Sequence, residues 1–157
     1  MECSSDSILV SIKKMLGLED DYTPFDTDVS VHINAAFMTL TQMGVGPKEG
    51  FVLGIGDYSK TWNEFLVNPV MLGAVKTYVY LQVKMMFDPP TNSFVMEAMK
   101  KQAEEIAWRL NVQAESVEKF DFMEDKASAV SFSAVSATSG QSTGELVGGG
   151  WEVSGDL

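Results

Sequence analysis

The 157-residue chain carries 22 Asp and Glu against 11 Lys and Arg, a formal net charge of −11, and its isoelectric point lies near 4.4. That balance argues against nonspecific attachment to nucleic acid, which rests on Lys and Arg neutralising phosphates. Cys3 is the only cysteine and His32 the only histidine, so neither an intrachain disulfide nor a zinc site of the usual Cys/His type can be assembled.

With 45% apolar residues the chain is long enough for one modest core and too short for two. The N-terminus lacks the basic-then-apolar pattern of a secretory signal, and no apolar run reaches the roughly 18 residues that a membrane helix needs. The expectation is a soluble, unexported protein with no membrane contact.

In chain order, Ser5 or Asp6 is placed to cap a first helix whose stripe is Ile8, Leu9, Ile12, Met15 and Leu16. Gly17 is placed to stop it, with Leu18 available for the hydrophobic contact that accompanies a glycine stop. Glu19, Asp20 and Asp21 lack the spaced oxygens and central glycine of a calcium loop and read as a solvated acidic turn. Asp26 and Thr27 are the expected caps of a second helix, with Ile33, Ala36, Phe37 and Leu40 at helical spacing and Gly44, Gly46 and Pro47 closing it. His32 on that helix, beside Asp28, has no cysteine or second histidine to work with and reads as a surface or capping residue.

Phe51–Ile55, apolar and partly β-branched, is bounded by glycines and predicts a short strand or β-hairpin near 51–60. Gly54-Ile55-Gly56 lacks the further glycine, preceding strand and following long helix of a phosphate loop. Thr61-Trp62-Asn63-Glu64 matches a capping box and opens a single turn, with Trp62 and Phe65 as core anchors.

The central stretch is Pro69 to Leu110. Asn68 caps and Pro69 opens a helix on which Leu72, Val75, Val79, Gln82, Val83 and Met86 share one side, while Val70, Tyr78, Leu81 and Phe87 spread apolar surface beyond it. A helix apolar on most sides belongs in the middle of the fold. Phe87-Asp88-Pro89-Pro90 is a hard corner, because two prolines remove donors and drive the preceding residue out of helical geometry. Thr91 and Asn92 are candidate caps for a second helix with the stripe Val95, Met99, Ala103, Ile106 and Leu110. From Asn111 the helical pattern weakens.

Residues 1–114 carry 14 acids and 9 bases, and residues 115–157 carry 8 acids and 2 bases, so over half of the net charge sits in the last 43 residues. Residues 115–157 therefore read as an extended, acidic, Ser/Gly-rich tail beyond a helical domain at 1–114, unable alone to offset its ordering entropy. Phe120, Phe122, Val130, Phe132 and Trp151 are too apolar for a solubilising linker. The alternation Val130, Phe132, Ala134 is a strand pattern, and the tail reads as a docking segment ordered on assembly, against a sister subunit or another protein.

The expected architecture is all-α: a small bundle of four to five helices on a central helical hairpin. A nucleophile with a base, a carboxylate pair in a pocket and a metal site are all lacking from the pattern. Glu104 and Glu105 are adjacent on a helix and do not share a face, while Glu97 with Lys101 and Glu105 with Arg109 are ordinary four-residue pairs. No catalytic residue and no cofactor is expected.

An ordered set of short motifs resembles the head-tail connector, or adaptor, proteins of long-tailed phages. It runs from Ile8-Leu9 and Lys14-Met15-Leu16-Gly17 through Phe25-Asp26-Thr27-Asp28, His32-Ile33-Asn34, Gly44-Val45-Gly46-Pro47 and Thr61-Trp62 before Phe65-Leu66. It continues through Lys76-Thr77-Tyr78-Val79-Tyr80-Leu81, the double-proline corner and Trp108-Arg109-Leu110-Asn111. The resemblance implies a structural virion protein in the neck, made in the host cytoplasm, forming a homo-oligomeric ring, commonly of twelve copies, under the portal protein. Such a ring extends the DNA channel, which the genome passes without sequence-specific binding, and offers a platform to a downstream neck or tail-completion protein. It also implies that Trp108, Asn111, Val112 and the tail meet the portal. The other class compatible with the residues alone is a non-viral helical interaction or regulatory domain without catalytic activity.

Overall fold

Helix boundaries follow local chemistry closely. The computed structural model describes residues 6–138, and of residues 118–121 and 128–138 the backbone alone. Its helices are α1 (Ile8–Leu16), α2 (Asp26–Gln42), α3 (Trp62–Phe65), α4 (Pro69–Phe87) and α5 (Ser93–Thr138). Gly17 and Gly44, both left-handed, end α1 and α2 in the same way. Leu18 N–H reaches back to Lys13 C=O at 2.9 Å and Gly17 N–H to Lys14 C=O at 3.1 Å, and Val45 and Gly44 repeat the pattern onto Leu40 and Thr41 at 2.9 and 3.0 Å. In each, the residue after the glycine folds back onto the core, Val45 fully and Leu18 partly.

Asn68 accepts hydrogen bonds from the N–H groups of Val70 and Met71 at 3.0 and 3.4 Å, with Pro69 in the first turn of α4. Asn92 does the same for Phe94 at 2.9 Å at the start of α5. The Glu64 carboxylate closes the capping box of α3 on the Thr61 N–H at 3.2 Å. Two expected caps are not used. Ser7, not Ser5 or Asp6, precedes α1, and the Ile8 N–H is satisfied by Lys60 C=O at 3.0 Å across an isolated bridge from Ser7 to Thr61. Phe25 precedes α2, because the Asp26 side chain is drawn inward to Lys13.

The molecule divides into two compact units, Met1–Glu118 and Lys119–Leu157. In the first, α4 packs most extensively on α2, with α1 across both. Ile8, Leu9, Ile12, Ile33, Phe37, Leu40, Val75, Val79 and Val83 are all buried. Phe37 stacks on Phe65 with centroids 4.6 Å apart and meets Phe51 and Trp62 edge-on at 5.3 and 6.1 Å. Trp62 donates its indole N–H to the Ser11 hydroxyl at 2.7 Å, so the largest core side chain leaves no polar atom unpaired.

Two expectations of extended structure are corrected. Residues 51–60 form no strand or hairpin: the Leu53 backbone is held on both sides by one side chain, its N–H donating to Asn34 Oδ1 at 2.7 Å and its C=O accepting from Asn34 Nδ2 at 2.8 Å. A side chain on α2 thereby replaces the partner strand. The strand expected at Val130, Phe132 and Ala134 lies within α5, which runs helically to Thr138 rather than weakening at Asn111. No glycine or proline occurs between Ser93 and Thr138, and Ala and Ser dominate around the alternating pattern, so nothing stops propagation.

Candidate assembly surfaces

The most distinctive surface belongs to α2. No Asp, Glu, Lys or Arg occurs from Val29 to Pro47 or from Gly50 to Gly56. On α2, one side enters the core, yet the outward side is also apolar: Val31 is 53% and Met38 65% exposed, with Ala35 between them. The 50–56 loop, pinned by Asn34, adds Val52 and Ile55, 74% and 69% exposed. Between them lies an open groove of about 500 Å³, lined by Asn34, Ala35, Met38, Thr41, Phe51 and Val52 among others. Depletion of charge around an apolar centre is the composition of an interface core, and in a chain with 21% charged residues this charge-free patch is a candidate contact surface.

A second surface is the outward side of α5 in the first unit. Ala103, Leu110 and Ala114 are buried on its inner side, and at 100° per residue Phe94, Lys101, Glu105, Trp108 and Val112 fall opposite them. Trp108 is 66% exposed and Val112 43%, one turn apart, while Asn111 is half-buried. Glu105 pairs with Arg109 beside Trp108. Of the other residues expected at a partner surface, Phe122 is exposed, with Lys126 Nζ 5.4 Å from its ring centroid, in the second unit. Phe120, Val130 and Phe132 lie on the α5 backbone, their side chains outside the described residues, as is Trp151 altogether.

The corner is a tied joint. Phe87 packs edge-on against Phe25 at 5.3 Å, linking the end of α4 to the entry of α2; Asp88 is exposed and pairs with Lys84, and Pro89 and Pro90 carry the turn. Between α4 and α5 a groove of about 390 Å³ is lined by Tyr78, Gln82, Met85, Met96, Lys100 and Glu104, with Gln82 donating to the Tyr78 hydroxyl at 3.1 Å.

A family profile described as phage connector protein matches residues 8–117, about 70% of the chain. The chain belongs to the phage connector protein family. No curated protein and no solved structure matches it. Membership makes the connector a structural component of the phage particle, and the matched stretch coincides with the first compact unit.

One constellation in the connector escapes a reading of the sequence. Lys13, with no exposed side-chain surface, places Nζ 2.8 Å from Asp26 Oδ1, 3.1 Å from the Tyr58 hydroxyl and 3.0 Å from Asp20 C=O, while Tyr58 donates to the other Asp26 oxygen. Burial, the largest single influence, pulls the ammonium pKa down, but hydrogen bonds from Lys13 to Asp26 and Tyr58 and their charges outweigh it and hold it above 10.5. Lys14 pairs with Asp20 at 3.2 Å, so the acidic turn is tied back to α1 instead of being wholly solvated. This cluster fastens α1, α2 and the loop before α3 at one point. The ammonium makes two hydrogen bonds and one ion pair, all within the fold, which suits a fixed joint. Among the described residues no group of three or more His, Cys, Asp or Glu is placed to hold a metal, and no helix is long and apolar enough to cross a membrane. His32 is half-buried on α2.

Proposed function

We propose that copies of this connector form a ring beneath the portal protein, extending the DNA channel and offering a platform to the neck or tail protein that follows. Family membership over residues 8–117 carries this reading, and the uncharged outward side of α2 supports it, since a lone subunit has no use for such a surface. Ring growth needs two different complementary patches on each subunit, and the uncharged outward side of α2 is a candidate for one of them. The portal contact is carried by the later part of α5 and the residues beyond it, including Phe120, Phe122, Val130, Phe132 and Trp151, with Trp108, Asn111 and Val112 at its near edge. Residues 115–157 act as the segment that docks on assembly. An excess of carboxylates on the lumen wall repels DNA phosphates and lets the genome slide, a reading motivated by the net charge of −11.

The test is electron microscopy of the full chain, alone and mixed with the portal protein of the same phage, and of a chain ending at Glu118. The full chain joins the portal as a closed ring, whereas the shortened one keeps its helical circular dichroism and joins weakly. A full chain that never joins the portal refutes the ring. A ring map with a basic lumen refutes the charge argument alone.

A further inference from the structure

We infer that residues 53–58 form a strap laced onto α2 by three polar side chains one helical turn apart, and that this strap opens and closes as one unit while the helices stay folded. The inference concerns the single subunit and does not rest on the ring. Three observations converge.

First, the rungs are in register. Asp26, Ser30 and Asn34 follow one another at four-residue spacing, so they stand nearly in line on α2, each about 6 Å beyond the last. Their partners come in the reverse order. Tyr58 donates to the Asp26 carboxylate, the Gly56 N–H donates to the Ser30 hydroxyl at 3.4 Å, and Leu53 donates to and accepts from Asn34 at 2.7 and 2.8 Å. Two extended residues span about 6.6 Å, which matches the step from one rung to the next. The three residues from Leu53 to Gly56 would overrun that step, and a turn closed by the Asp57 N–H on Gly54 C=O at 3.1 Å takes up the excess.

Second, the lacing is separable from the helical framework. Among the described residues no backbone-to-backbone hydrogen bond joins 53–58 to α2; each rung uses a side chain of the helix. The strap is fixed at both ends, by Phe51, braced against Phe37 and Phe65 at 5.3 and 5.5 Å, and by Lys60, whose C=O accepts from the Ile8 N–H at 3.0 Å. Between these ends Leu53 is the one fully buried apolar side chain, while Val52 and Ile55 are 74% and 69% exposed. Opening therefore breaks no helical hydrogen bond and withdraws a single side chain from the core, the profile of a segment that opens locally.

Third, the rungs depend on one another. Ser30 has no exposed surface, and its hydroxyl is matched by the Gly56 N–H, so the strap cannot leave Ser30 without admitting water to it. Releasing Leu53 from Asn34 begins that exposure two residues along the helix turn, and the lacing is lost as a whole. The last rung, Tyr58, also accepts from Lys13 at 3.1 Å, which ends the strap on the charged cluster at the start of α2. The subunit thus has two forms of this side of α2: laced, with Leu53 plugging the core, and open, with the Ser30 hydroxyl and the Asn34 amide released. A partner that prefers one form shifts the balance between them.

The experiment is amide hydrogen exchange by NMR on the full chain, in buffer and in urea too dilute to unfold it. In the unsubstituted chain the Leu53 and Gly56 amides share one opening equilibrium and exchange roughly tenfold or more faster than the amides of the buried α4 residues Val79 and Val83. Their urea dependence is also the smaller, because opening the strap exposes less surface than unfolding the helices. Two variants then test the shared opening at a distance. Asn34→Ala, which removes both bonds to Leu53, accelerates the Gly56 amide roughly thirtyfold, and Ser30→Ala accelerates the Leu53 amide about three- to tenfold. If Asn34→Ala speeds Leu53 and leaves Gly56 unchanged, the rungs are independent and the strap is overturned. If the Leu53 and Gly56 amides of the unsubstituted chain exchange at the α4 rate with the α4 urea dependence, the segment is part of the helical core and has no opening of its own.

Discussion

Removing either partner of the Lys13–Asp26 pair is expected to destabilise the connector far more than an ordinary ion pair would. Lys13 has 0% and Asp26 9% side-chain exposure, so a single substitution leaves the remaining charge buried against Tyr58. Breaking a buried pair from one side costs about 3–5 kcal/mol, whereas exposed pairs contribute about 0–1 kcal/mol. For a domain of this size each kcal/mol moves the melting temperature by about 2–4 °C, so Lys13→Met and Asp26→Asn should each lower it by roughly 6–20 °C. The double variant removes both charges yet leaves an amide oxygen at position 26 to accept from the Tyr58 hydroxyl, and it should be no worse than the poorer single variant. The cycle would thus show strong coupling. The pH dependence has a definite sign. The Lys13 pKa is raised in the folded state, so its contribution is whole below about 10.5 and is lost as pH rises through the higher folded value. Urea titrations followed by circular dichroism at pH 7 and across pH 9–12 measure both effects, the alkaline loss being read as the difference between the native chain and Lys13→Met. Single substitutions costing under about 1 kcal/mol, or additive effects, would refute the claim that this cluster fastens the three segments.

Asn34→Ala strips both hydrogen bonds from the Leu53 backbone and should cost about 2–4 kcal/mol, with hydrogen exchange at the Leu53 amide accelerating more than at α4 amides; equal acceleration everywhere would contradict a local anchor. Gly46→Ala would put a Cβ 2.6 Å from the Phe65 ring at a backbone φ of +98°, and should cost about 2–4 kcal/mol by chemical denaturation, a loss that a simultaneous Phe65→Leu partly relieves. Phe37→Ala removes the centre of the aromatic cluster and should cost about 3–5 kcal/mol, whereas Trp108→Ala on the exposed side of α5 should change stability by no more than about 0.5 kcal/mol while weakening assembly. Monomer stability and ring yield measured on the same samples separate the two classes.

What the sequence disclosed was whatever is encoded within a few residues. The glycine stops at Gly17 and Gly44, the Asn68 and Asn92 caps, the Thr61–Glu64 box and the double-proline corner each depend on neighbours no more than five positions away, and each stands as read. Two of the errors have the opposite property. Asp26 looks like a cap by its position, but Lys13 and Tyr58, 13 and 32 residues distant, compete for its carboxylate and win. Phe51–Ile55 looks like a strand, but Asn34, 19 residues before Leu53, saturates the backbone that a second strand would have paired. Polar side chains that reach across the fold therefore set both the joint at Lys13 and the loop that walls the α2 groove, and local pattern is blind to them.

The α2 surface was hidden for another reason, and that reason bears on how the connector works. A helix without charge from Val29 to Pro47 reads as a helix destined for the interior, and in the isolated subunit it is only half interior: Ile33, Phe37 and Leu40 are buried while Val31 and Met38 are largely exposed. If copies assemble as proposed, sequence patterning on α2 would record burial in the assembly as well as in the monomer, and the apolar side left open in one chain would be covered there. The outward side of α5 has the reverse composition, isolated apolar residues such as Phe94, Trp108 and Val112 among charged ones, of which Glu105 pairs with Arg109. Substituting Met38→Glu tests this directly: an exposed residue should tolerate the charge with little change in monomer melting temperature, yet the same charge in a buried contact has no partner and should abolish assembly. Equal loss of folding and assembly would place Met38 in the monomer core and remove the α2 side from the interface.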